Sequence, residues 1–283
     1  MNPELIHIPE QQRHKPQIFL CDFDMTLAHV YAFSPTWQTH VPVLDHELVS
    51  MLTVPDQLLC IATARGAREP VSWVIGHRLL DPKVPLVVEN GAALLWNRTA
   101  LSKPPAIELL ITDQEATLIE QLGRDIQSVI HTIPAVSKDH AVLMRPNRVA
   151  SIELRAEHKN THHGTPQEYG NISDFLLTQF PEIETLCTIS TTGSSLTIEP
   201  KSADKKAGIL AAMKRAHIDT AVVFPIALGD NRNDTPLFTL AREMGGIAIG
   251  VSTDVDKSAC DLVFEAGEAT TKQIVQHIQS LCL

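Results

Sequence analysis

The chain has no long apolar run: nothing among its 283 residues approaches the length a helix needs to cross a bilayer. It also lacks any C-x-x-C pair, and its five cysteines, Cys21, Cys60, Cys187, Cys260 and Cys282, are odd in number. Three of them sit in apolar runs, where a free cysteine behaves as a small hydrophobe. A reducing, cytoplasmic compartment is the expected setting. An excess of basic residues is missing as well. The formal net charge of −10 argues against a general nucleic-acid or anionic-membrane surface, which would need a basic patch. It leaves room for an anionic small substrate, because a metal ion and a lysine can reverse the sign inside a pocket. There is no internal repeat, low-complexity tract or charge run. Residues 1–16 are polar and are not expected to act as a signal peptide or membrane anchor.

What is present divides into three blocks. From Gln17 to Asn90, strand and helix patterns alternate: apolar runs at 17–21, 58–62 and 84–88, with helical segments near 45–52 and 67–80. Such alternation predicts a parallel sheet with helices on both faces. The third run ends in Glu89-Asn90-Gly91, a strong turn signal. The middle block differs. It has an amphipathic helix over 114–131, strands at 141–144 and 150–155, a helix at 173–180, and a hairpin of 185–190 with 195–199 through residues 191–194. After Pro200 the alternation returns, with helices at 203–216, 235–244 and 270–281 and apolar runs at 221–228, 246–251 and 261–264. The expected fold is α/β: a doubly wound, Rossmann-like parallel-sheet core (16–95 and 196–283) interrupted by an inserted α+β domain (96–195).

Four pieces of the outer blocks carry chemistry. The strand at 17–21 ends in Asp22-Phe23-Asp24-Met25-Thr26. Side chains at i and i+2 of a strand share a face, roughly 6–7 Å apart. Two carboxylates so placed beside a core repel, unless a cation lies among them. That favours a divalent metal site with a nucleophilic carboxylate; taken alone, the pair also reads as a strand end facing water or capping a turn. The second piece, Thr63-Ala64-Arg65-Gly66, closes the next strand and suits a phosphate cradle built from a hydroxyl and backbone N–H groups, or a plain helix cap. The third, Pro200–Ala207, offers Lys201, Lys205 and Lys206, any of which could neutralise a phosphoryl oxygen. The fourth, Gly229-Asp230-Asn231-Arg232-Asn233-Asp234, follows a strongly apolar strand with oxygen ligands of the kind hard Mg²⁺ accepts. Three of the four end strands of one expected sheet, and open α/β sheets bind ligands outside the carboxyl ends of their strands.

In this order the pieces resemble the motifs of the haloacid dehalogenase superfamily of phosphotransferases: D-x-D-x-T, a strand-end Ser/Thr, a lysine, and G-D-x-x-N-D. The insertion is similar to that family's type IIB cap, found in several sugar-phosphate phosphatases and in phosphomannomutases. The resemblance implies a Mg²⁺-dependent phosphatase acting on a small phosphorylated metabolite, most simply a sugar phosphate. It implies Asp22 as nucleophile and Asp24 as general acid and base, with an aspartyl-phosphate between them. Mg²⁺ would be held by Asp22, the Asp24 backbone carbonyl and Asp230, with Asp234 in support. Thr63 and Lys205 would bind phosphate, Lys205 being chosen because its spacing from Pro200 matches the family's lysine motif. Thr26 and Asn233 would brace the loops, and Arg65 and Arg68 are candidates for substrate contact. Two departures stand out: Met25 occupies a position where many members have glycine, and Gly250–Thr253 lacks the M-G-N-A signature of Cof-like members. A phosphosugar mutase uses the same four motifs, and a non-catalytic phospho-ligand sensor could keep the fold. Substrate choice would lie in the insertion, where Arg145, Arg155, Lys159, Thr192 and Ser194 show no pattern. His158, His162 and His163 lack zinc-ligand spacing and read as solvated histidines.

Overall fold

A computed structural model of the chain describes residues 6–28, 30–34, 39–43, 46–52, 57–81, 83–96, 105–133, 140–158, 164–191, 195–252, 254–265 and 270–280. Its centre is a five-stranded parallel sheet in the order Leu262–Val263, Ile247–Gly250, Phe224–Gly229, Gln17–Cys21, Gln57–Ile61. Every residue of Gln17–Cys21 is buried, as expected of a strand covered on both faces. Alternate side chains feed two cores. Phe19 and Cys21 join Leu59, Ile61, Ile226 and Leu228 on one face. Ile18 and Leu20 join Cys60, Ala62 and Ala227 on the other, under helices Lys205–Arg215 and Thr235–Glu243. Sequence order reverses between Gln17–Cys21 and Phe224–Gly229, which pair directly with Cys21 opposite Leu228. The switch point therefore sets Asp22 beside Gly229, and the Asp22 N–H donates to the Leu228 carbonyl (2.9 Å).

The third apolar run does not extend the parallel sheet. Leu86–Val88 pairs antiparallel with Ala93–Trp96, which pairs with Ala106–Leu109. The cause is the turn: Glu89, Asn90 and Gly91 all have positive φ (51°, 53° and 101°), so the chain reverses at once. Leu86–Val88 still touches the sheet edge, through a parallel bridge of Val87 with Ala62.

The inserted segment has its own core. A four-stranded antiparallel sheet, ordered Cys187–Thr191, Leu196–Pro200, Ile152–His158, His140–Met144, is backed by helices Asp113–Val129 and Pro166–Gln179. The second helix starts earlier than the expected 173–180. Thr165 caps it, Pro166 opens it and the Glu168 side chain returns to the cap, a full capping box. The hairpin Val30–Ser34 with Thr39–Val43 was not expected at all. Residues 192–194 of the expected hairpin turn, with Lys159, His162 and His163, lie outside the described residues.

Insertion and core are joined by one buried network. The Glu89 carboxylate accepts from the backbone N–H groups of Ala67 (3.0 Å), Val149 (2.9 Å) and Ala150 (2.9 Å), and from Ser151 Oγ (2.7 Å). Arg148 pairs with Glu153 at 2.6 Å and donates to the Ala64 carbonyl. Asn90 donates to Glu199 at 2.6 Å. Gly66 packs so closely on the Asn147 carbonyl that a Cβ would lie 2.5 Å from it. Burial works to raise the Glu153 carboxyl, but Arg148 and Arg155 outweigh it and hold it below its usual range.

Two outcomes follow for stability. Glu89→Ala strands several buried donors and is expected to cost about 3 kcal/mol or more in urea unfolding; a loss below about 1 kcal/mol would contradict the joint. Because the Glu153 value is depressed, its contribution is complete above the unfolded-state value of about 4.3 and is lost as pH falls through the folded value. Acid unfolding of Glu153→Gln should thus show a shallower pH dependence below about pH 4.3 than the parent.

Candidate active site

Three strand ends and one helix start deliver the candidate residues to the carboxyl edge of the parallel sheet. Asp22 and Asp24 follow Gln17–Cys21, Thr63 follows Gln57–Ile61, Asp230 follows Phe224–Gly229, and Lys205 opens the helix Lys205–Arg215. At their centre lies Lys205, 1% exposed. Its Nζ donates to Asp22 Oδ1 and to Asp234 Oδ1, each at 2.7 Å. The other lysines are excluded by position. Lys201 reaches the Glu184 carbonyl and Lys206 pairs with Glu243, both at the surface.

Asp234, wholly buried, uses its second oxygen to accept from the backbone N–H groups of Asp230 and Asn231, both at 3.0 Å. It thereby shapes the loop that presents Asp230. Gly229 is required there, since a Cβ would lie 2.6–2.7 Å from the Asp234 side chain. Thr26, also fully buried, donates to Asp230 Oδ1 (3.2 Å), while its carbonyl accepts from Thr271 Oγ1. Asn233 is exposed on the turn Arg232–Asp234, and no hydrogen bond among the described residues ties it to the cluster.

Oxygens of Asp22, Asp230 and Asp234 all lie within 4.8 Å of one another. Three carboxylates thus face one ammonium. Burial pushes the Asp22 carboxyl well above its usual range, and Asp234 and Asp230 add to this against the pull of Lys205. Asp230 is pushed up to about 6, first by burial and then by the Asp234 charge. Burial opposes the Lys205 charge, yet its two partners hold it above the ordinary lysine range. The site is short of positive charge, and oxygen donors with surplus negative charge are what a hard divalent cation fits. Asp22 Oδ2 takes part in no hydrogen bond among the described residues and is available as a ligand, whereas both Asp234 oxygens are occupied.

Asp24 stands apart from this cluster. Its carboxylate is gripped by Arg65 in a forked pair, Nε to Oδ2 at 2.9 Å and Nη2 to Oδ1 at 2.6 Å, with Glu69 behind the guanidinium. Arg65, read from the sequence as a substrate contact, is thus engaged with Asp24. Thr63 is fully buried, and its Oγ1 accepts from the Arg65 N–H (3.2 Å), so it closes the turn. Arg68 is exposed, its N–H bound to the Asn147 carbonyl. Sequence reasoning missed the Arg65–Asp24 pair and the Arg148–Glu153 pair, whose partners are brought together only by folding.

The chain belongs to the haloacid dehalogenase-like hydrolase family, whose model matches residues 19–269. It is accordingly a hydrolytic enzyme on a doubly wound core with an inserted α+β domain. A comparison with curated protein sequences found no significant match. The fold is similar to the C-terminal domain of trehalose-6-phosphate phosphatase from C. albicans (13% identity, 95% of this chain and 93% of that one, TM-score 0.62). It is also similar to a HAD/COF-like hydrolase from Plasmodium vivax (16% identity, 95% and 97% covered, TM-score 0.57). A trehalose-6-phosphate phosphatase from Aspergillus fumigatus shares it too (14% identity, 95% and 94% covered, TM-score 0.55).

Met25 has φ of 59° and is 54% exposed. A side chain in this left-handed region costs roughly 1–2 kcal/mol, of which a glycine recovers all but its own unfolded-state entropy. Met25→Gly is therefore expected to raise stability by about 0.5 kcal/mol in thermal unfolding. A clear loss of stability would mean that the methionine side chain holds the loop.

Proposed function

We propose that the enzyme is a Mg²⁺-dependent phosphatase of a small phosphorylated metabolite, with a sugar phosphate as the leading substrate class. The observation that carries this reading is the charge deficit at the sheet edge, where Asp22, Asp230 and Asp234 surround one buried ammonium. A site short of positive charge suits a cation and a phosphoryl group whose oxygens the cation and lysine share. Mg²⁺ would be held by Asp22, Asp230 and the Asp24 carbonyl, with Asp234 shaping the loop. When bound, it would neutralise charge on the transferring oxygens.

In the proposed reaction an Asp22 oxygen attacks phosphorus as the phosphorus–oxygen bond to the leaving group breaks. Asp24 gives its proton to the departing alcohol. Water then attacks the aspartyl-phosphate while Asp24 takes its proton, releasing phosphate and restoring Asp22. Lys205 and Thr63 bind phosphoryl oxygens; in doing so Lys205 exchanges part of its contact with Asp22. The Arg65 fork holds Asp24 in place before substrate arrives and must loosen for that carboxyl to carry a proton. Thr26 braces Asp230 through its hydroxyl. The inserted segment, expected at 96–195 from the sequence but with a sheet that continues through Leu196–Pro200, acts as a cap that selects the leaving group and excludes water.

Among the described residues no helix is long and apolar enough to cross a membrane. Cys21, Cys60, Cys187 and Cys260 are free thiols, in keeping with a cytoplasmic setting. Phosphate release should be screened across sugar and polyol phosphates, with and without Mg²⁺. We expect metal-dependent turnover that falls about a thousandfold or more in Asp22→Asn. Retention of full turnover by that variant would remove Asp22 as nucleophile, and silence of the parent across the panel would remove the phosphatase reading.

A further inference from the structure

A cavity of about 710 Å³ opens where helix Asp113–Val129, the turn 145–151 and the core residue Arg68 meet. None of Asp22, Asp24, Thr63, Lys205, Asp230 and Asp234 lines it. Its volume is that of a small-molecule site. Three arginines line it, Arg68 from the core and Arg145 and Arg148 from the insertion. Arg145 Nε is buried with no hydrogen-bond partner among the described residues. Its neighbours differ: Arg148 and Arg155 are both satisfied by Glu153. Buried donors are nearly always paired, so one left open beside a cavity points to a missing acceptor. Asp113 and Glu120 line the same space. With Arg148 neutralised by Glu153, the remaining two cations and two carboxylates make a site of no net charge, suited to a ligand with one anionic group and several donors. Ile119 and Ala116 supply an apolar floor.

We infer that this cavity is a second ligand site, separate from the proposed reaction centre, for a small oxyanion bearing hydroxyl groups. The oxyanion is bound between Arg68 and Arg145, and the hydroxyls are directed to Asp113 and Glu120. Such a ligand bridges core and insertion. It sits against the turn whose Asn147 and Arg148 hold the backbone of Arg68 and Ala64, so its occupancy stiffens the joint next to the Thr63–Arg65 loop.

A Cβ on Gly123, which lines the cavity, would meet nothing within 4 Å. A large side chain there enters the open space, and glycine is the weaker helix former. The test is calorimetric titration in EDTA, so that no turnover occurs, with glycerol 3-phosphate, glycerate and glycerol as probes. We expect saturable binding of at least one of the two acids and none of glycerol; the acid that binds identifies phosphate or carboxylate as the anion. Arg145→Met should weaken this binding tenfold or more. Gly123→Phe should abolish it while leaving unfolding temperature and Mg²⁺-dependent hydrolysis of p-nitrophenyl phosphate at parental levels. Any glycerol 3-phosphate binding that survives Gly123→Phe belongs to the reaction centre. The inference is overturned if neither acid binds, if glycerol binds as well as the acids, or if both variants bind like the parent. A folded Gly123→Phe protein that has lost hydrolysis overturns it too, because the cavity would then be part of the reaction centre.

Discussion

A buried ammonium held between two buried carboxylates governs this molecule. Lys205 lies at the start of one helix, Asp22 at the end of Gln17–Cys21 and Asp234 in the turn after the neighbouring strand Phe224–Gly229. An ion taken out of water is tolerated only when its partners are in place, so all three segments must arrive in register. Gly229 admits the Asp234 carboxylate, Asp234 turns the loop, and the loop presents Asp230. The same arrangement leaves the site with more negative than positive charge, which is the basis of the cation binding proposed for it. Structural necessity and chemical purpose share one cluster of side chains.

A second buried carboxylate does corresponding work at the joint. Glu89 adopts positive φ, an unfavourable conformation for a residue with a side chain, and its hydrogen bonds to the insertion and to Ala67 supply the compensation. The inserted segment is thereby attached to the stretch that carries Thr63, Arg65 and Arg68. Displacement of the insertion would be transmitted to Arg65 and through it to Asp24. The joint and the candidate reaction centre are neighbours along a single short loop.

Much of this was legible beforehand. Strands of the parallel sheet are continuous apolar runs, and Gln17–Cys21 and Phe224–Gly229 emerged within a few residues of their expected limits. The helix Asp113–Val129 declared itself by its apolar period. Leu86–Val88 was expected in the parallel sheet; it meets the sheet edge by a single parallel bridge and otherwise pairs antiparallel with Ala93–Trp96, a reversal that the turn Glu89–Gly91 imposes. The start of Pro166–Gln179 could have been found from Thr165 and Glu168, a capping pair three residues apart. The hairpin Val30–Ser34 with Thr39–Val43 had no comparable marker.

By itself the sequence determined which groups reach the carboxyl edge of the sheet, since strand-end residues are placed by the strands' own periodicity and direction. Asp22, Thr63 and Asp230 needed nothing more. Lys205 was already singled out by its spacing from Pro200; what tertiary structure added is that, unlike Lys206, it is enclosed by carboxylates distant in the chain. Tertiary structure also decided that Arg65 holds Asp24 and that Glu89 fastens the insertion to the core. These pairings join residues far apart in sequence, and neither spacing nor local propensity carries information about which charges will meet once water is excluded.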